Sequence, residues 1–347
     1  MRVAEQTACD QPAVSVAMNA YNCEHFVAQA IESVLMQETT FVVELVIGED
    51  CSTDSTRRIV RAYGAKYPNV IRVLLPKKNL GISRNYEAVW HACGGKYIAW
   101  LDGDDYWRTP QKLEKQVTFM EANRHFSMCG TKTQFVTTSS DGAEKDAGVL
   151  EPAMLKPEYD LPDFLTGYPM HTSSMLGRRE LVALPDWLNE AGILWDACAF
   201  ALYAEKGPVG YLSEVVSCWR IHAGGSWTTK SAADQLRCNQ KAIDLLDLYW
   251  GGCYHPLLRA REYQVWWTLL RGLAERGKYR DARSLYWRST SRLMRLMPLR
   301  VLALGWAAYG GYWCANHWNQ LTMLLAIRTR VRRLIWRISR AVLRKPL

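Results

Sequence analysis

The chain has 347 residues, 49% of them hydrophobic, with 43 Lys+Arg against 34 Asp+Glu for a net charge of +9. That content fills one large or two medium packed domains and excludes a disordered chain. Ten cysteines with no Cys-x-x-Cys pair or zinc spacing exclude a disulfide framework and read as small apolar residues of a reducing compartment.

Residues 1–12 are polar and carry no apolar run of the signal-peptide kind, so the expected location is cytoplasmic. Ala13 to Met18 is a short apolar segment, followed by Asn19-Ala20-Tyr21-Asn22 and a helical pattern through Phe26, Ala30, Ile31, Val34 and Leu35: a strand, a turn and a helix. Phe41 to Ile47 is a second strand ending in the polar loop Gly48–Thr56, before a helix through Ile59, Val60 and Tyr63. Val70 to Leu75 is a third strand, and Asn79-Leu80-Gly81 leads into a helix through Tyr86, Val89 and Trp90. Strands alternating with helices at this spacing predict βαβ units in a mostly parallel sheet, whose ligands bind beyond the carboxyl ends of the strands.

The fourth strand organises the rest. Apolar residues run from Tyr97 to Leu101 and give way, without a spacer, to Asp102-Gly103-Asp104-Asp105-Tyr106-Trp107. Three carboxylates crowded beside apolar residues repel one another and lose hydration, and a cation would relieve both penalties. Asp-x-Asp with oxygen ligands suits Mg2+ or Mn2+, which complete their shells with water and substrate phosphates. The bland alternative is a polar turn leading into a helix that starts near Thr109-Pro110.

An ordered set of pieces resembles family 2 glycosyltransferases, nucleotide-sugar enzymes of the Rossmann-like GT-A fold, over residues about 13–225. The set comprises Val14 to Asn22, Ser33-Val34-Leu35-Met36-Gln37, Glu49 to Thr56, Asn79-Leu80-Gly81 with Arg84-Asn85, and Asp102 to Asp105 with Trp107. The dinucleotide-binding Gly-x-Gly-x-x-Gly and the P-loop are absent. The resemblance implies that Asp50 recognises the nucleotide base, with the backbone around Ala20 and Tyr21 lining the same pocket. It implies that Asp102 binds the ribose side and that Asp104 holds the Mn2+ or Mg2+ bridging the diphosphate. Arg84 either approaches the base or phosphates or is an ordinary helix-surface arginine. Asn19-Ala20-Tyr21 replaces the family's usual Pro-Thr-Tyr, which weakens any inference about donor choice.

Further along, Phe126 to Val136 reads as a strand, and Ser139-Ser140-Asp141-Gly142 as the turn of an antiparallel excursion. His171 to Leu176 resembles the family's strand returning to the acceptor side, with His171 either touching substrate or simply half-buried. Leu194-Trp195-Asp196 opens an apolar helix, and the resemblance makes Asp196 the general base that deprotonates the acceptor hydroxyl; the alternatives are a first-turn helix acid, or Asp186 as the base. After a strand at Val215 to Trp219, Arg220-Ile221-His222 with Gly224-Gly225 resembles the Arg-x-His near the end of the catalytic domain. His222 would ligate the metal or bond the diphosphate, and Arg220 would neutralise phosphate charge.

Residues 229–347 are expected to form a helical C-terminal region after a catalytic domain at 1–228, with one helix through Leu257 to Leu273 and its hairpin partner at Asp281 to Trp287. Residues 256–347 hold 19 Lys+Arg against 3 Asp+Glu, net +16, so the basic character belongs to this tail. Val301 to Ala315 is apolar but short for a membrane span. The last segment sets Leu324, Val331, Ile335, Ile338 and Val342 opposite five arginines at helical spacing, with four tryptophans nearby. An anionic membrane surface is the expected partner, ahead of docking on the catalytic domain, and nucleic acid is not expected.

The expected function is a metal-dependent inverting glycosyltransferase acting in cell-envelope polysaccharide synthesis. It would move sugar from a nucleotide-diphosphate donor to a glycan or lipid-linked acceptor, at the inner face of the cell membrane. The alternatives are a nucleotidyltransferase of related fold and a non-catalytic membrane or nucleic-acid binder.

Overall fold

A computed structural model describes residues 2–3, 11–139, 142–152 and 154–293. The chain divides into two compact units, Met1–Glu262 and Tyr263–Leu347. In chain order the first unit begins β1 (Val14–Ala20), α1 (Val27–Leu35), β2 (Val43–Glu49), α2 (Thr56–Lys66), β3 (Ile71–Leu74), α3 (Ile82–Ala92) and β4 (Tyr97–Trp100). These are the βαβ units that the alternating pattern predicts. β5 (Tyr106–Trp107), α4 (Lys112–Ala122), β6 (Met128–Thr138), β7 (Glu144–Leu150), β8 (Glu158–Tyr159) and α5 (Leu161–Thr166) follow. β9 (Leu176–Arg178), α6 (Trp195–Lys206), β10 (Val209–Ile221) and α7 (Ala232–Tyr249) complete it, and α8 (His255–Glu275) crosses into the second unit.

The ten strands form one sheet in the order β3-β2-β1-β4-β9-β6-β10-β5, with β7 on β6 and β8 on β10. β1 to β4 are mutually parallel; β9 runs antiparallel between β4 and β6, while β6 and β10 are parallel. The architecture is therefore mixed α/β with a mostly parallel centre, followed by helices. β1 and β4 are buried at nearly every residue because helices cover both faces, which explains why they read as continuous apolar runs. α1 packs one stripe, Val27, Ala30, Ile31, Val34 and Leu35, into that core.

Since β2, β1 and β4 are parallel neighbours, their carboxyl ends open side by side. Asp50 N–H donates to Ala20 O at 3.0 Å, and Gly103 N–H donates to Asn19 O at 2.8 Å, so the three tips are tied through β1. The polar turns at 19–22, 50–56 and 102–105 thus share one edge.

Two local expectations are corrected. His171–Leu176 is not a continuous strand: Thr172–Ser174 is a 3-10 turn, and only Leu176–Arg178 pairs in the sheet. The cause is side-chain competition, since His171 Nδ1 accepts the Ser173 N–H and Ser174 Oγ donates to His171 O at 2.7 Å. The strand read at 215–219 begins earlier, at Val209, where Gly210 lets the Phe119 ring lie against the backbone.

α7, read as part of the helical tail, lies in the first unit and buries Leu236, Ile243 and Leu246. In the second unit the remainder of α8 is followed by α9 (Tyr279–Leu293), with Gly277 at φ 70° ending α8, and Trp266 packs on Tyr286 at 5.9 Å. Among the described residues no helix is long and apolar enough to cross a membrane. The apolar stretch 301–315 and the arginine-faced segment 324–344 lie outside the described residues.

Candidate active site

The β1 and β2 turns form a fixed frame. Asn22 and Cys51 both adopt positive φ, 48° and 58°, a conformation L residues hold only where their surroundings enforce it. Here Asn22 Oδ1 accepts the Thr53 N–H at 2.8 Å, and Asn22 N–H donates to Ser52 Oγ at 3.0 Å. Asp50 is 3% exposed, and its two oxygens accept the backbone N–H groups of Leu80 (2.6 Å) and Gly81 (3.0 Å). The carboxylate thereby shapes the loop entering α3; Gly81 takes φ 83° there, which glycine adopts without strain. Ala20 is buried, Tyr21 is 49% exposed, and Arg84 is exposed on α3.

The three carboxylates after β4 fall into different environments. Asp102 accepts the buried Tyr86 hydroxyl; burial first, then the neighbouring Asp104 and Asp196 charges, push its carboxyl up to about 8, with Tyr86 opposing. Asp105 points inward at 2% exposure and accepts the Arg220 N–H at 2.9 Å; burial and then the other two aspartates hold it well above the usual carboxylate range. His171 lies 3.8 Å from Asp105, but burial lowers it to about 4, so this contact is not an ion pair at neutral pH. His171 is a buried histidine stacked on Trp219 at 4.7 Å. Asp104 has its side chain one third exposed and its Oδ2 3.2 Å from His222 Nε2.

The Asp104–His222 pair fits a divalent cation. A carboxylate oxygen and an imidazole nitrogen face one another at the rim, leaving the other positions for water and ligand oxygens. Among the described residues no group of three His, Cys, Asp or Glu side chains that could hold a metal ion is found. His222 Nδ1 accepts the Gly224 N–H at 3.2 Å, which puts the ring proton on Nε2 facing Asp104 Oδ2; binding a cation through Nε2 would move that proton to Nδ1 and release the Gly224 bond.

Arg220 is 2% exposed, and four of its five guanidinium N–H groups are engaged. It donates to Glu144 Oε1 at 2.8 and 3.0 Å, to Gln29 Oε1 at 2.6 Å and to Asp104 O.

Asp196 occupies the first turn of α6, half-buried. Its Oδ1 accepts the Ala197 N–H at 2.7 Å, while Oδ2 accepts the hydroxyls of Tyr168 (2.5 Å) and Thr172. The adjacent Trp195 ring stacks on Tyr86 at 4.9 Å, and the Tyr86 hydroxyl reaches Asp102. The Asp196 charge is among the causes raising both Asp102 and Tyr86. Asp196 is thus linked to the acidic turn through one aromatic stack, whereas Asp186 is exposed at the start of a separate 3-10 turn. Tyr86, Tyr168, Thr172 and Glu144 escaped the sequence reading. Tyr86 reads as a core residue of α3, and the other three carry no local motif.

Strand tips bearing carboxylates at one edge of a mostly parallel sheet are the arrangement of the GT-A fold. Residues 15–183 match the family described as Glycosyl transferase family 2. An uncharacterised protein of Mycobacterium tuberculosis is 31% identical over 214 residues, 62% of this chain and 60% of that one. The match therefore spans about three fifths of that relative's length. A Bacillus subtilis protein provisionally named the teichuronic acid biosynthesis glycosyltransferase TuaG is 33% identical over 158 residues, 45% of this chain and 60% of that one. Among solved structures, a mannosyltransferase from Pyrobaculum calidifontis in complex with GDP-Man and Mn2+ shares the fold at a TM-score of 0.50 and 16% identity, covering 96% of this chain and 89% of that one.

Proposed function

We propose that the chain is an inverting, divalent-metal-assisted glycosyltransferase that moves a sugar from a nucleotide-diphosphate donor to a hydroxyl of a glycan or lipid-linked acceptor in cell-envelope polysaccharide synthesis. The observation carrying this reading is that Asp196 stands in the first turn of the helix whose Trp195 stacks on Tyr86, the residue bonded to Asp102. The family match supports the donor class, and the name of the Bacillus relative supports the polymer class.

Asp196 takes the proton of the acceptor hydroxyl, the freed oxygen attacks the anomeric carbon, and the nucleoside diphosphate leaves with the electron pair of the broken bond. Asp196 Oδ2, Tyr168 Oη and Thr172 Oγ1 form a triangle, the two hydroxyls lying 2.6 Å apart. Two hydroxyl protons support only two of its three edges. A third, taken from the acceptor, lets each oxygen donate once and accept once, so the ring is completed by the proton it removes. Tyr168 keeps its own proton, being held well above its ordinary value by burial and then by Asp196. The 50–56 and 79–81 backbone, shaped by Asp50, frames the base beside Ala20 and Tyr21. Asp102 faces the ribose, and Arg84 faces the base or phosphates. Asp104 and His222 would hold Mn2+ or Mg2+, which would supply positive charge for the diphosphate. The basic tail, from its composition, is assigned to an anionic membrane face.

Nucleoside diphosphate release from UDP-GlcNAc, UDP-glucose and GDP-mannose tests this reading. Release should require Mn2+ or Mg2+ and should fall about 10²- to 10⁴-fold in Asp196→Asn with donor affinity retained. Undiminished turnover in Asp196→Asn would remove the base assignment. Pyrophosphate release from nucleoside triphosphates would instead identify a nucleotidyltransferase.

A further inference from the structure

β7 is exposed along almost its whole length and contributes little to the core. Its first residue, Glu144, is also exposed, yet its carboxylate reaches the acidic turn. Oε1 accepts two guanidinium N–H groups of Arg220, at 2.8 and 3.0 Å, and Oε2 accepts the Tyr106 hydroxyl at 2.8 Å. The Arg220 guanidinium lies against Phe26 at 4.6 Å and Tyr106 at 4.9 Å. Phe26 packs in turn on the His222 ring, also at 4.6 Å. From the same residue, one guanidinium nitrogen donates to Asp104 O and the backbone N–H donates to Asp105 Oδ1 at 2.9 Å. Arg220 therefore touches the backbone of one candidate ligand, the support of the other and the buried acid beside them.

We infer that Glu144, acting through Arg220, is a positioning residue that holds Asp104 and His222 at cation-binding separation, so that the β6–β7 hairpin straps the metal turn in place. This rests on the metal assignment for Asp104 and His222. The physical reason is charge and geometry. A guanidinium this deeply buried requires an ionised partner, and the fork of Arg220 is oriented by the carboxylate it grips. Without Glu144, two of its N–H groups lose their acceptor and the guanidinium turns to find another, releasing Asp104 O. In this reading Arg220 does not meet the donor phosphates, because four of its five guanidinium N–H groups are already engaged within the protein.

The test is Mn2+ affinity of the full chain, with MnCl2 titrated in the presence of UDP or GDP and free Mn2+ followed by electron paramagnetic resonance. Supporting groups around a metal set its affinity by about 10- to 100-fold, so Glu144→Ala should bind Mn2+ at least about tenfold more weakly. Glu144→Gln, which keeps an acceptor oxygen but loses the charge, should fall between; it also serves should the alanine variant fail to fold. Lys145→Ala, a neighbouring change on the same exposed strand, should bind as the parent does. Parent affinity in both Glu144 variants, with Asp104→Asn binding none, would overturn the strap while leaving the metal site standing. Parent affinity in Asp104→Asn would overturn the metal assignment and the strap with it.

Discussion

Lys112 opens α4 with 1% of its surface exposed; its ammonium lies 4.1 Å from the centroid of the Trp107 ring and donates to Gln116 Oε1 at 2.7 Å. Burial, only partly offset by Cys129, lowers it from 10.5 to about 7. A lysine whose folded value lies below its unfolded value loses protons on folding. Its destabilising effect is complete below about pH 7 and fades as pH rises towards 10.5. At about 1.4 kcal/mol per pH unit the gap is worth at most about 5 kcal/mol. Attraction between the ammonium and the indole face opposes desolvation by about 2 kcal/mol, leaving about 3. Lys112→Met keeps the stem over Trp107 and removes the amine. The variant should exceed the parent by about 2–3 kcal/mol at pH 7, with the advantage shrinking by about 1 kcal/mol per unit towards pH 9. Urea denaturation of both proteins at pH 7, 8 and 9 measures this directly. A difference independent of pH, or a less stable methionine variant at pH 7, would refute the reasoning.

A Cβ at Gly103 would lie 3.0 Å from Cys23 Sγ, 3.1 Å from Asn19 O and 3.3 Å from Ala20 Cβ. Asn19 O is fixed in the sheet edge, so Gly103→Ala should cost about 1–3 kcal/mol and abolish Mn2+-dependent thermal stabilisation by displacing Asp104; an unchanged melt with intact metal response would contradict it. Thr172→Val removes one edge of the Asp196 triangle, so turnover should fall about tenfold or more while donor KM holds. Thr172→Ser should restore turnover, and equal turnover in the valine variant would show that the hydroxyl is idle.

Much of the fold was legible because β1, β2 and β4 are buried at nearly every residue and each of the first three strands is followed by a helix at βαβ spacing. The acidic turn stood out for a related reason: carboxylates beside an apolar run need compensation, and the alternation of elements places such runs at one edge. Asp196 was singled out only through the resemblance, since an acid in the first turn of a helix is locally unremarkable. Glu144 and Thr172 were not legible. One sits on a solvated hairpin and the other in a turn whose 3-10 form depends on His171 and Ser174 side chains bonding the backbone. Arg220 shows the converse limit. Its residue type suggested phosphate contact, but its partners come from Gln29, Asp104 and Glu144, which only the folded sheet brings together.

The account stands most directly on where a cation lodges. Anomalous diffraction at the manganese edge, from crystals grown with MnCl2 and either UDP or GDP, should give one peak within coordination distance, about 2.0–2.3 Å, of both Asp104 Oδ2 and His222 Nε2. The diphosphate should lie on its open side, with Asp196 beyond. A nucleotide bound at this edge with no peak between those two side chains, or a peak elsewhere, would contradict it.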